Sequence, residues 1–185
     1  MQEIDHDIID RCRTGDREAF RHVVQAMQRP VYSLSLKMLA DTEEAKDVVQ
    51  DTFIKVWQHI GDYDERYSFL TWIYTIASRL CLDRLKRSRM RIQPHDEDVF
   101  ARIADDPDPG KRLEESDWVS VVKVLASGLA GKQRLVFTLS CLEGLDSTRI
   151  MQITGLTAKQ IKSNLFIARK HIRNRLIKMG YGPDR

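Results

Sequence analysis

Hydrophobic residues recur along this chain every three or four positions, and no stretch alternates convincingly between apolar and polar residues. That spacing places apolar side chains on one face of an α-helix, whereas a half-buried strand needs a period of two. The clearest stripe follows Asp41 and consists of Ala45, Val48, Val49, Phe53, Val56, Trp57 and Ile60. The pattern therefore predicts an all-α fold.

Helix boundaries are indicated by polar residues that precede the apolar stripes and by proline. Asp41 is the expected N-cap of the strongest helix, although Thr42 could take the same role. Asp16 is the expected N-cap of an earlier helix. We expect that helix to end at Pro30, because proline has no backbone N–H to donate, and another helix to begin at Val31.

A third segment runs from about Ser68 to Arg89 and carries two different stripes. Its core stripe is Leu70, Ile73, Ile76, Ala77 and Leu80. The opposite stripe is Trp72, Thr75, Arg79, Asp83 and Lys86. A purely structural helix does not need a mixed polar stripe headed by an aromatic ring, so the second stripe is a predicted binding surface.

Aromatic residues gather around the start of this helix, and its end is basic. The aromatics are Tyr63, Tyr67, Phe69, Trp72 and Tyr74, and the later cations include Arg79, Arg84, Lys86 and Arg87. Single-stranded nucleic acid needs both, because bases stack on rings while the phosphates attract positive charge. We assign Phe69 and Tyr74 to the core and Trp72 to the binding surface.

Prolines and acidic residues interrupt the helical pattern between about residues 92 and 115. The interrupting residues are Pro94, Pro107, Pro109 and Gly110, among acidic neighbours that include Asp96, Glu97 and Asp98. Such a composition favours an extended or partly helical linker. We therefore predict two small helical domains, 1–91 and 114–185, joined by an acidic linker over 92–113.

The C-terminal part contains a helix-turn-helix pattern. Asp146 can cap a short helix, Gly155 provides the turn, and Thr157 with Gln160 forms a capping box that opens a long last helix. The inward face of that helix is Ile161, Leu165, Ala168, Ile172 and Leu176. Its outward face is Lys159, Lys162, Ser163, Phe166 and Lys170, which can contact phosphates, base edges and thymine methyl groups. Many glycine-linked helix pairs bind no nucleic acid, so this motif alone does not establish DNA binding.

Charge is segregated rather than abundant, since the formal net charge is only +3. Basic runs near residues 79–91 and 159–178 suggest a surface for a polyanion, and acidic runs near 41–51 and 96–108 suggest a basic protein partner. A single run would equally well be a solvated helix face. Three scattered cysteines, Cys12, Cys81 and Cys141, indicate a reduced cytosolic chain without a zinc site.

We expect a cytoplasmic protein that is not inserted in a membrane. No apolar run approaches the roughly 20 residues needed to span a bilayer, and residues 1–5 lack the basic and apolar parts of a signal peptide. We expect no catalysis, cofactor or metal, because the sequence has no Gly-rich phosphate loop, metal cluster or arranged nucleophile–base pair.

Two stretches resemble a known family. Residues 47–57, DVVQDTFIKVW, and 69–87, FLTWIYTIASRLCLDRLKR, resemble region two of the extracytoplasmic-function (ECF) sigma factors of the sigma-70 family. Residues 134–176, with KSNL at 162–165 and ARK at 168–170, resemble their region four. The resemblance covers nearly the whole chain in the family's order. It implies a transcription initiation factor that binds core RNA polymerase and directs it to promoters.

The resemblance also implies roles for individual residues. Those matching the polymerase-docking helix are Asp47, Gln50, Asp51 and Thr52. Those matching the minus-ten surface and its base-capturing loop over 61–68 are Tyr63, Tyr67, Trp72, Thr75, Arg79, Asp83, Lys86 and Arg87. Those matching the minus-thirty-five surface are Lys159, Lys162, Ser163, Asn164, Phe166, Ile167 and Lys170. The implied partners are core RNA polymerase, promoter DNA and an anti-sigma factor.

Two other classes of protein are alternatives to this interpretation. A stand-alone helix-turn-helix regulator would bind duplex DNA tightly without polymerase, but it does not need the aromatic and basic helix from Trp72 onward. A nuclease would need convergent carboxylates to bind metal, and the linker carboxylates are not expected to be held rigidly enough. The departures from common family residues, Asp83, Asn164 and Ile167, leave the recognised promoter sequence open.

Overall fold

The computed structural model describes residues 4–91 and 128–178. Seven helices can be assigned there, which we number in chain order: α1 His6–Arg13, α2 Arg17–Leu39, α3 Thr42–His59, α4 Phe69–Arg91, α5 Gly131–Phe137, α6 Ser147–Thr154 and α7 Ala158–Lys178. A 3-10 turn covers Ile60–Asp62, and a π-helical turn covers Thr138–Leu142. These residues contain no strand, so the predicted all-α fold is confirmed. The predicted linker over 92–113 lies outside the described residues.

Helix starts are set by the aspartates that the sequence indicated. Asp16, Asp41 and Asp146 each accept a hydrogen bond from a backbone N–H in the first turn, which would otherwise lack a partner. Thr157 and Gln160 form the predicted capping box, with reciprocal bonds of 2.9 and 3.3 Å to each other's backbone N–H. Gly155 ends α6 with a φ of 68°, a left-handed value that favours glycine. The local boundaries therefore follow from side-chain chemistry.

We expect Asp146→Ala to lower the free energy of unfolding by about 1 kcal/mol, because the N–H of Arg149 loses its acceptor at 2.9 Å. Urea denaturation measures the change. Ser147→Ala, one residue further along and also exposed, is the matched control and should leave stability within about 0.5 kcal/mol. Equal effects of the two substitutions would show that the cap does not stabilise α6.

The predicted helix break at Pro30 is wrong. Helix α2 continues through Pro30 from Arg17 to Leu39. Val23, Met27, Val31 and other residues on both sides of the proline form one buried stripe. Proline in a helix interior costs about 3 kcal/mol, whereas burying each large aliphatic side chain contributes about 1.5–3 kcal/mol. Burial of the continuous stripe therefore outweighs the lost hydrogen bond.

Helices α1 to α4 form a bundle, and the C-terminal helices pack against it. The main hydrophobic core contains Val31, Ile73 and Ala77 of the bundle together with Leu139 and Ile150 from beyond residue 128. A smaller core, Leu129, Ala168 and Ile172, lies between the start of the C-terminal part and α7. The C-terminal part therefore has some core of its own and shares the rest with α2 and α4.

Polar contacts join the same two parts. Glu143 accepts hydrogen bonds from Lys37 at 2.6 Å and from the hydroxyl of Tyr74 at 3.0 Å. Burial, followed by the neighbouring Glu143 carboxylate, raises the pKa of Tyr74, so its hydroxyl stays protonated and donates. Arg134, which is buried, donates to the carbonyl of Met38 at 2.7 Å. These contacts hold α2 and α4 against the segment from α5 to α6.

Candidate polymerase and nucleic-acid interfaces

The aromatic surface at the start of α4 is partly exposed and partly core. Tyr67 is 43% exposed, and Trp72 is half-buried. The Trp72 ring lies 5.3 Å from that of Tyr63 and 5.6 Å from that of Phe69, between ring centroids. Phe69 and Tyr74 are buried, as the sequence indicated. Trp72 therefore packs on aromatic neighbours while part of its side chain remains exposed.

Tyr63 is not on the surface, contrary to the sequence prediction. Its side chain is 6% exposed, its ring packs edge-on against Phe69, and its hydroxyl donates to the carbonyl of Tyr67 at 2.6 Å. These contacts hold the loop before α4 and support Trp72 from behind. Tyr63 is thus a supporting residue of the aromatic surface in this conformation, not a ligand for a base.

The polar stripe of α4 is exposed along most of its length. Arg79, Asp83, Lys86 and Arg87 all face solvent, about two to four turns beyond Trp72. Thr75 is half-buried, and its hydroxyl donates to the carbonyl of Thr71 at 2.9 Å. The helix thereby presents rings at one end and charged side chains at the other, which is the arrangement that unstacked bases and their phosphates require.

A cavity of about 580 Å³ lies beside this aromatic surface. Tyr67 and Ser68 line it together with Ile4 and Arg66, and Arg149 of α6 closes one side. The C-terminal part therefore reaches the loop that the sequence resemblance associates with base capture. In the described conformation, α6 also packs against α4.

Helix α7 separates its two faces as the sequence indicated. Ile161, Ala168 and Ile172 are buried, while Lys159, Lys162, Ser163 and Lys170 are exposed. Phe166 is 68% exposed and Ile167 is 44% exposed, which is unusual for large apolar side chains. Asn164 is half-buried and bonds back to the carbonyl of Gln160 at 2.8 Å. The outward face of α7 is therefore basic, with an apolar centre.

The acidic surface of α3 differs from the sequence prediction at one residue. Asp47 and Gln50 are exposed and Asp51 is half-buried, but Thr52 is fully buried. Thr52 lies four residues from both Val48 and Val56, so it belongs to the core stripe of the same helix. The Thr52 side chain therefore cannot contact a partner in this conformation. The spacing alone could have placed it inside.

Two features near this surface were missed by sequence reasoning. Arg84, which stands within a basic run, forms ion pairs with carboxylates of α3. An apolar groove of about 510 Å³ lies between α2 and α3, lined by Phe20, Ile54, Trp57 and neighbours. Ile54 is 55% exposed and falls outside the apolar stripe of α3, which was the one available signal for the groove.

Comparisons with known proteins decide the family. Residues 23–91 match the family model of Sigma-70 region 2. The chain is 30% identical to the ECF RNA polymerase sigma-E factor of Haemophilus influenzae, with 95% of this chain and 96% of that protein aligned. The chain belongs to the ECF RNA polymerase sigma factors. Another relative is SigW of Bacillus subtilis, an ECF RNA polymerase sigma factor that is 25% identical over 91% of this chain and 94% of its own length.

Solved structures share the fold of this sigma factor. CnrH, solved in complex with the cytosolic domain of CnrY, matches with a TM-score of 0.69 at 20% identity, over 95% of this chain and 99% of that one. RpoE of Bartonella quintana, solved in complex with the anti-sigma factor NepR, matches with a TM-score of 0.58 at 19% identity, over 85% and 96%. Membership of this family means that the chain is a transcription initiation factor that directs RNA polymerase.

Among the described helices, none combines the length and the apolar content that crossing a membrane requires. In the same part of the chain, no three His, Cys, Asp or Glu side chains are placed so that together they could hold a metal ion. Cys12 and Cys81 are buried, Cys141 is exposed, and all three are free thiols.

Proposed function

We propose that this sigma factor docks on core RNA polymerase through α3, reads and helps to open the minus-ten element with α4 and its preceding loop, and reads the minus-thirty-five element with α7. The main support for the proposal is that this member of the family has three chemically distinct surfaces. One surface is acidic, one combines rings with cations, and one is a basic helix-turn-helix face. The chain would then act in the cytoplasm, together with polymerase.

The minus-ten role is supported by what α4 exposes. Trp72 is partly exposed, so a base could stack on it, and Arg79 and Lys86 can approach the phosphates that follow. The ionised Asp83 carboxylate can only accept hydrogen bonds. It therefore fits the amino group of cytosine, which donates, better than a purine N7, which accepts. Melting would be driven by capture of unstacked bases, with polymerase supplying most of the binding energy.

The minus-thirty-five role is supported by the outward face of α7. Lys159, Lys162 and Lys170 can neutralise phosphates or donate to guanine, and Phe166 can contact a thymine methyl group. Arg169 and Arg173 are also exposed on this helix and add to its positive charge. Helix α6 and the Gly155 turn hold α7 as the second helix of the motif.

Reading both elements at once requires the described packing to open. The two elements are centred about 25 base pairs apart, or about 85 Å along B-form DNA, whereas a compact chain of this length is about 40 Å across. Helix α6 also packs against α4, and its Arg149 lines the cavity beside the aromatic surface. The C-terminal part therefore leaves α4 when the promoter is bound.

We further propose an anti-sigma protein as a partner. The structural neighbours CnrH and RpoE were solved with CnrY and the anti-sigma factor NepR, respectively. In this chain the apolar groove beside α3, with Ile54 and Trp57, adjoins the acidic surface proposed for polymerase. A protein seated there would compete directly with core polymerase.

Run-off transcription with purified bacterial core polymerase tests the proposal as a whole. Templates carry random sequence across the minus-ten and minus-thirty-five positions, and the transcribed molecules are sequenced. We expect enrichment of two spaced elements that depends on this protein. If no promoter-specific transcript starts while the protein alone binds duplex DNA tightly, a stand-alone helix-turn-helix regulator is the better description.

We expect Lys162→Ala and Lys170→Ala each to weaken promoter binding by the holoenzyme and to reduce the slope of log affinity against log salt by about 1, because each removes one phosphate contact. Binding is measured by fluorescence anisotropy at several salt concentrations. Lys132→Ala, an exposed lysine on α5, is the matched control and should leave the slope unchanged. An unchanged slope in both α7 variants would remove these lysines from the DNA surface.

A further inference from the structure

One arginine of α4 gathers three carboxylates of α3. The Arg84 Nη1 atom lies 2.6 Å from a carboxylate oxygen of Glu44 and 3.4 Å from one of Asp47, and Nη2 lies 2.8 Å from one of Asp51. The Arg84 side chain is only 19% exposed, whereas those of the three acidic residues are 46–64% exposed. The cation is thus set behind the anions, and the anions face solvent.

The sequence spacing explains why the acidic residues need such a partner. Glu44, Asp47 and Asp51 follow one another at i, i+3 and i+7, so they lie on one face of α3. Like charges three or four residues apart repel, and flexible carboxylates would separate into solvent. A guanidinium carries five N–H donors in a planar fork and can bond several carboxylates at once, which an ammonium group does less well.

We propose that Arg84 is a positioning residue for polymerase binding, which holds the three carboxylates of α3 in the arrangement that a basic surface of core polymerase recognises. The inference rests on the proposed docking role of α3 and goes beyond it by assigning a function to a residue of α4. It also separates Arg84 from the preceding residue, Asp83, which is exposed and which we assign to the proposed minus-ten surface. Although Arg84 lies within a basic run of the sequence, its proposed role is in polymerase binding and not in contacting nucleic acid.

The positioning role and simple charge counting predict opposite changes in affinity for polymerase when Arg84 is removed. Removing Arg84 makes the α3 surface more negative by one charge, so long-range attraction to a basic partner should increase and association should become faster. If Arg84 instead holds the carboxylates in place, its removal leaves three side chains to be ordered at the moment of binding, and the complex dissociates faster. A net loss of affinity therefore identifies positioning.

The experiment measures association and dissociation of the full chain with immobilised core polymerase. We expect Arg84→Ala to bind about tenfold more weakly, through faster dissociation and with association unchanged or faster. Arg84→Lys, which keeps the charge but not the fork, should fall between the wild type and Arg84→Ala. Arg21→Ala is the control, because Arg21 is an exposed α2 arginine that pairs with Glu18 at 3.7 Å, and its kinetics should match the wild type.

A double-mutant cycle shows whether Arg84 acts through the carboxylates. We expect Asp51→Asn to weaken core binding in the wild type and to have a smaller effect in the Arg84→Ala background. Additive effects, or an Arg84→Ala complex as tight as the wild type, would overturn the proposal. Thermal melting accompanies each measurement, and if Arg84→Ala does not fold, the same comparison is made with Arg84→Lys.

Failure of this inference is distinct from failure of the proposed function. If the wild-type protein does not bind core polymerase, docking through α3 is wrong and the role of Arg84 is wrong with it. If the wild type binds and Arg84→Ala binds equally well, only the positioning role is lost. Once polymerase is saturating, binding of the Arg84→Ala holoenzyme to a single-stranded minus-ten oligonucleotide should equal that of the wild type.

Discussion

Trp72→Ala is expected to slow promoter opening by about tenfold to hundredfold while the closed complex still forms. Stacking of a base on an aromatic ring contributes about 1–3 kcal/mol, and each 1.4 kcal/mol corresponds to a factor of ten. Opening is followed with permanganate reactivity of unpaired thymines, and closed-complex binding is followed by anisotropy at low temperature. Trp72→Phe, which retains a ring, should recover part of the rate.

The half-buried position of Trp72 requires a control that separates stacking from folding. The ring packs on Tyr63 and Phe69, so its removal can also loosen the start of α4. A template already mismatched across the minus-ten element supplies the open bases and should bypass the Trp72→Ala defect. If the mismatched template does not restore transcription, the residue acts through the core, and the assignment of Trp72 to the DNA surface is wrong.

Glu143→Ala is expected to lower the melting temperature by about 4–8 °C. The side chain of Glu143 is 12% exposed and accepts hydrogen bonds from Ser33, Lys37 and Tyr74, so its removal leaves three donors without this acceptor. That loss costs about 2 kcal/mol, and each kcal/mol lowers the melting temperature by about 2–4 °C in a chain of this size. Differential scanning calorimetry measures the change.

The chain offers a matched control for Glu143→Ala. Glu43 pairs with Lys46 at 2.7 Å, nearly the same distance as the Lys37–Glu143 pair at 2.6 Å, but its side chain is 80% exposed. Glu43→Ala should therefore change stability by no more than about 0.5 kcal/mol. Faster amide exchange in α4 and α6 should accompany the Glu143 substitution alone. Equal melting temperatures would mean that the C-terminal part does not rest on the bundle in solution.

These two predictions concern opposite sides of the same helix. Trp72 faces the proposed promoter surface, while Tyr74, two residues later, bonds to Glu143 across the contact with the C-terminal part. The packing described for the free chain and the extended arrangement proposed on DNA therefore both depend on α4. A substitution that loosens the packing of the C-terminal part on α4 should therefore make the extended arrangement on DNA easier to reach.

Much of the local structure could be predicted from the sequence because its causes are local. Asp16, Asp41 and Asp146 cap their helices because side-chain oxygens reach N–H groups two or three residues away. The two faces of α7 follow from a period of 3.6 residues, and the resemblance to sigma factors was carried by contiguous residues. The family was therefore identifiable before any packing was known.

Long-range contacts decided what the sequence could not. Pro30 continues α2 because the stripe around it is buried by other helices, and Tyr63 is internal because Phe69 and Trp72 close over it. Arg84 belongs to the acidic surface because α3, some 40 residues earlier, lies within reach of its guanidinium. Each outcome depends on contacts between different elements, and a pattern read along one helix contains no information about which element will face it.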